Sequence, residues 1–226
     1  MAKIERSQKE RLFNSAANKA GTDKPCLNHT FAGRNYMDYY AELLLPPKFE
    51  PTARLKILEF GVFKGASLRM WASLFPEAII VGVDKDLRHV EDLARKTRGV
   101  LVREGDQADR HFLNSLCNFG PLDLIVDDGS HAYEDMLRTA IHMLPRMSPG
   151  GVYVIEDTHV GWVMPTWPGI DPDDTTHPND PQRMHDFVKV LMQNLDRRTG
   201  PIQSIHYYHG MLAFKIADTE WSPAQD

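Results

Sequence analysis

The chain has only two cysteines in 226 residues, Cys26 and Cys117, far apart and without metal-ligand spacing. That excludes a disulfide framework and reads as two reduced thiols. There is no Cys-x-x-Cys and no His-x-x-x-His, so zinc has no support in the sequence. No apolar run approaches the roughly eighteen residues of a membrane span, and the opening MAKIERSQKERLF is too polar for a secretory signal. Positive charge is not in excess: 26 Lys and Arg stand against 31 Asp and Glu, a net −5, which argues against a nucleic-acid backbone as main partner. Internal repeats and low-complexity tracts are missing too. The expectation is a soluble, cytoplasmic protein with neither membrane nor nucleic acid as partner.

What is present suits an ordinary globular chain, 42% hydrophobic and 25% charged and long enough to bury a full core. Residues 3–20 read as an amphipathic helix ending at Gly21, and NYMDYYAELL as an aromatic helix closed by Pro46-Pro47. RLKILEFG, AIIVGVD, GVLVREGD, LDLIVDD and GGVYVIED then read as five buried strands. Between them fall helices over ASLRMWASLF, about 87–97, 108–118 and YEDMLRTAIHML. Such alternation predicts an α/β fold with a parallel, Rossmann-like sheet and helices on both faces. After a helix near 181–196, two β-like runs meet at His209-Gly210 and should pair antiparallel, an arrangement that matches the class I methyltransferases and not a plain dinucleotide fold. The expected organisation is an N-terminal helical cap (1–50), a core domain (51–218) and a polar tail (219–226). The irregular stretch 158–180 reads as a lid over the substrate.

Two acidic doublets, Asp127-Asp128 and Glu156-Asp157, end the fourth and fifth strands. Parallel strands joined by crossovers end on one edge, so these carboxylates and His131 are expected to share a crevice. Acids so close repel, and a hard cation is the usual remedy. At the end of the first strand, EFGVFKGAS puts glycines before a helix N-terminus, a place for backbone to approach a ligand. Its spacing is not G-x-G-x-x-G. Asp84 ends the second strand, where a carboxylate can accept ribose hydroxyls, and Asp106 follows the third, where an adenine edge would lie.

Taken together, TDK, LEFGVFKGASLRMW, GVDKD, GDQAD, DDGSHAYEDM and GGVYVIEDTH resemble the class I S-adenosylmethionine-dependent methyltransferases. More narrowly, they are similar to the metal-dependent sugar O-methyltransferases of the mycinamicin and macrocin antibiotic pathways. The resemblance implies that Glu59, Gly61, Ser67 and Asp84 hold the methionine and ribose of the cofactor, with Asp106 and Gln107 at the adenine. It implies further that Asp127 faces the cofactor and that Thr22 or Lys24 reaches its carboxylate. Asp128, Glu156 and Asp157 match the family's magnesium ligands, a role manganese could also fill, and His131 matches its catalytic base. A homo-oligomer, dimer or tetramer, is also suggested by the family.

The chemistry agrees with these residue types. A sugar hydroxyl is a poor nucleophile at neutral pH, so a cation that polarises it and a base that takes its proton both help. Contacts to the acceptor are expected from Tyr36, from His159, and from Trp162 and Trp167 stacking on a sugar ring. The acceptor expected is a glycosylated metabolite or an oligo- or polysaccharide. The alternatives are methylation of a catechol-like hydroxyl and a cofactor-binding subunit without catalysis.

Overall fold

The computed structural model describes residues 6–26, 29–90, 92–160 and 181–218. Seven strands form one sheet: β1 (Lys56–Phe60), β2 (Ile79–Asp84), β3 (Val100–Glu104), β4 (Leu122–Asp127), β5 (Met147–Glu156), β6 (Ile202–Tyr208) and β7 (Met211–Ile216). Their spatial order is β3-β2-β1-β4-β5-β7-β6. The first five run parallel, while β7 lies antiparallel between β5 and β6. The terminal hairpin is as its sequence predicts. Its turn uses Gly210 at φ 70°.

Both faces of the sheet are covered, which explains why β1 and β4 are buried along almost their whole length and not on alternate residues. Successive side chains still point to opposite faces. Ile57, Leu124, Val126 and Val154 join one apolar cluster with α1 (Gln8–Ala20), α2 (Tyr36–Leu43) and α3 (Ala66–Leu74). Leu58, Ile125, Tyr153 and Ile155 join the other with α6 (Tyr133–Met143) and α7 (Pro181–Asp196). The N-terminal helices therefore share the core of one sheet face.

Helix ends follow local chemistry. Ser7 and Glu10 form a capping box that starts α1, and Gly21, left-handed at φ 78°, ends it. Asn35 and Asp38 cap α2 in the same way. Asp38 also accepts from Arg6 and Asn14, which fixes α2 against α1. The remaining short helices are α4 (Leu93–Lys96) and α5 (Arg110–Leu116).

The helix expected over 87–97 is reduced to α4. Asp86 accepts from the backbone N–H of Arg88 and pairs with its guanidinium, and the Val90 N–H bonds the carbonyl of Leu87. These local bonds hold tight turns where the helix was predicted. The sheet reverses its order of addition at β1, whose neighbours are β2 and β4. A crevice at the carboxyl ends of these strands is the usual ligand position in such a sheet.

Candidate active site

A cavity of about 610 Å³ opens at that edge, lined by residues of every predicted motif but GDQAD: Thr22, Gly61, Ser67, Asp84, Asp128, His131 and Asp157 among them. A second hollow of about 280 Å³ adjoins it past Asp84, Gly105, Gln107 and Gly129.

The floor is made by close backbone approach. Gly61 sits at φ 89°, where a Cβ would overlap the carbonyl oxygen of Asp128. The Asp128 N–H in turn donates to the carbonyl of Phe60 at 3.0 Å. Loop β4–α6 thus rests directly on the end of β1. Asp84 accepts from the N–H groups of Val62 and Phe63 at 2.8 and 2.9 Å, so its carboxylate shapes the glycine turn as well as facing the cavity. Asp106 caps the next turn through the Ala108 N–H and pairs with Lys85 at 3.1 Å. Gln107 is buried; its amide nitrogen donates to Asp127, and its oxygen accepts from the Ser130 N–H. It therefore braces the third strand end against the β4–α6 loop.

Glu59 is fully buried and accepts from the Trp71 indole at 2.8 Å, with Ser67 also at hand. Burial pushes its carboxyl up to about 7 despite the nearby Lys24 ammonium. Its other oxygen has no hydrogen-bond partner. That oxygen faces the Lys24 ammonium at 3.7 Å, and a buried carboxylate oxygen without a hydrogen bond can take a further cationic donor such as a ligand ammonium.

The two doublets split. Asp128 and Asp157 line the cavity, while Asp127 and Glu156 are buried beneath it. Adjacent residues at a strand end face opposite ways, so each doublet sends one carboxylate to the cavity and one into the protein. Burial raises Asp127 to about 7, against the pull of the Gln107 amide. Glu156 is bound on both oxygens by the Lys24 ammonium, at 2.7 and 2.8 Å, and by the Tyr40 hydroxyl at 2.5 Å. Lys24 also reaches Asp128 at 2.8 Å and lies 3.7 Å from Glu59. Burial works against its charge, but the fields of Asp128, Glu156 and Glu59 outweigh that and hold the ammonium well above its usual range.

Asp128, His131 and Asp157 each offer a ligand atom within 4.8 Å of the others. The His131 Nε2 lies 3.8 Å from Asp157, which also accepts from the Tyr36 hydroxyl at 2.8 Å. Both His131 and Asp157 adopt left-handed backbone, at φ 57° and 54°. Non-glycine residues held there carry strain of the kind that gathers at functional sites. Two hard carboxylates on one wall, with a third, Glu156, held behind them by Lys24, suit a magnesium- or manganese-sized cation, and the His131 imidazole stands beside them.

Of the predicted acceptor contacts, Tyr36 and His159 adjoin this wall; Trp162 and Trp167 lie outside the described residues, as does most of the predicted lid. His159 faces the hairpin turn, its ring 5.2 Å from that of His209, and Phe31 stacks on His209 at 5.1 Å. A Cβ on Gly210 would overlap the Tyr36 hydroxyl and lie 2.7 Å from the His159 Nδ1, so glycine allows this approach. Tyr40, Phe31 and His209 were not foreseen as site residues. The four-residue spacing of Tyr36 and Tyr40 on one helix face was the available signal for the first.

Sheet order, the terminal hairpin and the crevice together define the class I methyltransferase fold, and residues 58–158 match the family model described as a methyltransferase domain. Within that class the chain resembles the sugar O-methyltransferases of the mycinamicin and macrocin type. Mycinamicin VI 2''-O-methyltransferase of Micromonospora griseorubida is 32% identical over 189 residues, covering 70% of this chain and 43% of that protein. Demethylmacrocin O-methyltransferase of Streptomyces fradiae is 32% identical over 180 residues, with the same shares. MycE methyltransferase from the mycinamycin biosynthetic pathway, solved in complex with Mg and SAH, superposes with a TM-score of 0.67 and 26% identity, covering 98% of this chain and 58% of that one. The chain therefore spans under half the length of the curated relatives it matches. Among the described residues, no helix is long and apolar enough to cross a membrane.

Proposed function

We propose that this chain is an S-adenosylmethionine- and magnesium-dependent O-methyltransferase that acts on a sugar hydroxyl of a glycosylated metabolite. The observation that carries the reading is the convergence of Asp128, His131 and Asp157 on the cavity that Gly61, Ser67 and Asp84 also line. Relatives named as O-methyltransferases of mycinamicin VI, demethylmacrocin and a rhamnosyl tetracenomycin support this acceptor class. Larger glycans have no such support.

When bound, S-adenosylmethionine supplies an electrophilic methyl group and a divalent cation polarises the acceptor hydroxyl. The Glu59 oxygen without a hydrogen bond and the first turn of α3 around Ser67 would receive the methionine end, with Thr22 also lining the cavity. Asp84 would hold the ribose, and the hollow past Gly105 and Gln107 would take the adenine. Asp128, Glu156 and Asp157 are the carboxylates that would hold the cation, two from the cavity wall and one from beneath it. His131 would take the proton that the hydroxyl loses as its oxygen bonds the methyl carbon and the methyl–sulfur bond breaks, the electron pair leaving with the neutral thioether. Asp157, 3.8 Å away, stabilises the resulting imidazolium. Tyr36 keeps Asp157 oriented through its hydroxyl. General base catalysis of this kind contributes about 10²–10⁴-fold.

The test is calorimetric titration of S-adenosylmethionine with and without magnesium, followed by a methyl-transfer screen against glycosides. Cofactor binding with magnesium-dependent methylation of a sugar hydroxyl is expected. Binding with no metal effect on turnover would refute the metal role, and no cofactor binding would refute the reading as a whole.

A further inference from the structure

Lys24 sits in the loop after α1 with 1% of its surface exposed, a position lysine takes only when its charge is fully answered. An ammonium has three N–H donors. All three are engaged, one on Asp128 Oδ2 at 2.8 Å and two on the Glu156 oxygens at 2.7 and 2.8 Å. Nothing is left to hold a ligand carboxylate, so the part played by Lys24 is toward the protein's own acids. Those acids come from the two separate strand ends, β4 and β5, and the ammonium is the group that ties them together.

We propose that Lys24 is a resident counter-cation of the acidic edge. It assembles Asp128 and Glu156 without a divalent ion and, by repelling that ion when it arrives, keeps its binding weak and exchangeable. The inference rests on the metal site proposed above. It makes Lys24 a positioning residue and not a catalytic one. Three features support it. Asp128 is shared: one oxygen is held by Lys24 while the residue also joins the cluster with His131 and Asp157. Glu156 has the Tyr40 hydroxyl as a further donor beside the Lys24 ammonium. Glu59, 3.7 Å away, adds a third carboxylate to the same ammonium. A cation entering beside Asp128 and Asp157 meets a neighbouring positive charge already in place, and like charges at such range in a protein interior interact strongly.

The experiment measures Mn²⁺ binding by electron paramagnetic resonance on cofactor-free protein, for the wild type, Lys24→Met and Lys24→Arg. Lys24→Met is expected to bind Mn²⁺ at least about tenfold more tightly, with Lys24→Arg within about threefold of wild type, since only the first removes the repelling charge. Unchanged or weaker binding in Lys24→Met would overturn the proposal. Should Lys24→Met not fold in metal-free buffer, refolding decides. Recovery in Mn²⁺ but not in sodium chloride of equal ionic strength supports a counter-cation, and failure in both assigns Lys24 to packing and overturns it. Wild-type protein that binds no Mn²⁺ would instead bring down the metal site itself, and this inference with it.

Discussion

Gly61 offers the sharpest quantitative check on how the two halves of the site are joined. Replacing it with alanine imposes two separable costs. A Cβ at φ 89° is disfavoured by about 1–2 kcal/mol. The same Cβ would overlap the Asp128 carbonyl oxygen, with the carbonyl carbon 2.6 Å and the Gly129 Cα 3.1 Å away. Those are backbone atoms, so no side chain can rotate aside, and overpacking of this kind costs about 1–3 kcal/mol. The sum is about 2–5 kcal/mol, or a fall in Tm of about 4–20 °C for a chain of this size. Gly21→Ala is the control: its φ is 78°, but nothing lies within 4 Å of the added carbon, so only the first cost applies. Thermal unfolding of the two variants, followed by circular dichroism, isolates the clash as their difference. Because the displaced atoms belong to Asp128, Gly61→Ala should also weaken Mn²⁺ binding, while Gly21→Ala leaves it alone. Equal Tm values for the two variants would refute the claim that loop β4–α6 rests on Gly61.

Three further outcomes test the assigned roles. Asp128→Asn should lose metal-dependent activity while cofactor affinity, measured by calorimetry, stays within a few-fold; an equal loss of cofactor binding would undercut the assignment. His131→Ala should lower turnover by about 10²–10⁴-fold with Mn²⁺ and cofactor still bound, and near-full activity would remove it as the base. Glu59, raised by burial to about 7, holds a proton in the folded state that the unfolded chain has released. Its contribution to stability is therefore complete below about pH 4.5 and lost as pH rises toward 7, with a slope of at most about 1.4 kcal/mol per pH unit. Urea titrations between pH 5 and 7 should show this decline flattened in Glu59→Gln, and an unchanged slope there would contradict it.

The parallel core was legible because buried strands and amphipathic helices leave different periods in the chain, and the acidic doublets because they stand at the ends of apolar runs. Their split orientation was harder to foresee: it follows from the pleat of each strand at a point where one residue lies inside the strand and the next beyond it. Lys24 was legible as a residue of the TDK motif, but a lysine in a polar loop ordinarily reads as solvent-facing. Only the fold reveals three carboxylates from distant segments around its ammonium. His209 was legible only as the place where two β-like runs meet, and the stacking of Phe31 on it is a contact spanning more than half the chain. The helix over 87–97 failed because Asp86 and Arg88 bind each other and the local backbone in preference to a helical ladder.

The division of labour between the N-terminal helices and the sheet has a consequence for anyone recombining such enzymes. The sheet carries the carboxylates, but the ammonium and both phenols that answer them, from Lys24, Tyr36 and Tyr40, come from the first forty residues. Neither piece is electrically complete alone. A chimera cut near residue 50 would separate acids from their partners, and a foreign leading segment would have to bring one lysine and two tyrosines at matching positions. The seam that looks natural from the layering of helices and strands is thus the wrong place to cut, and the inheritable unit is the leading segment together with the edge it neutralises.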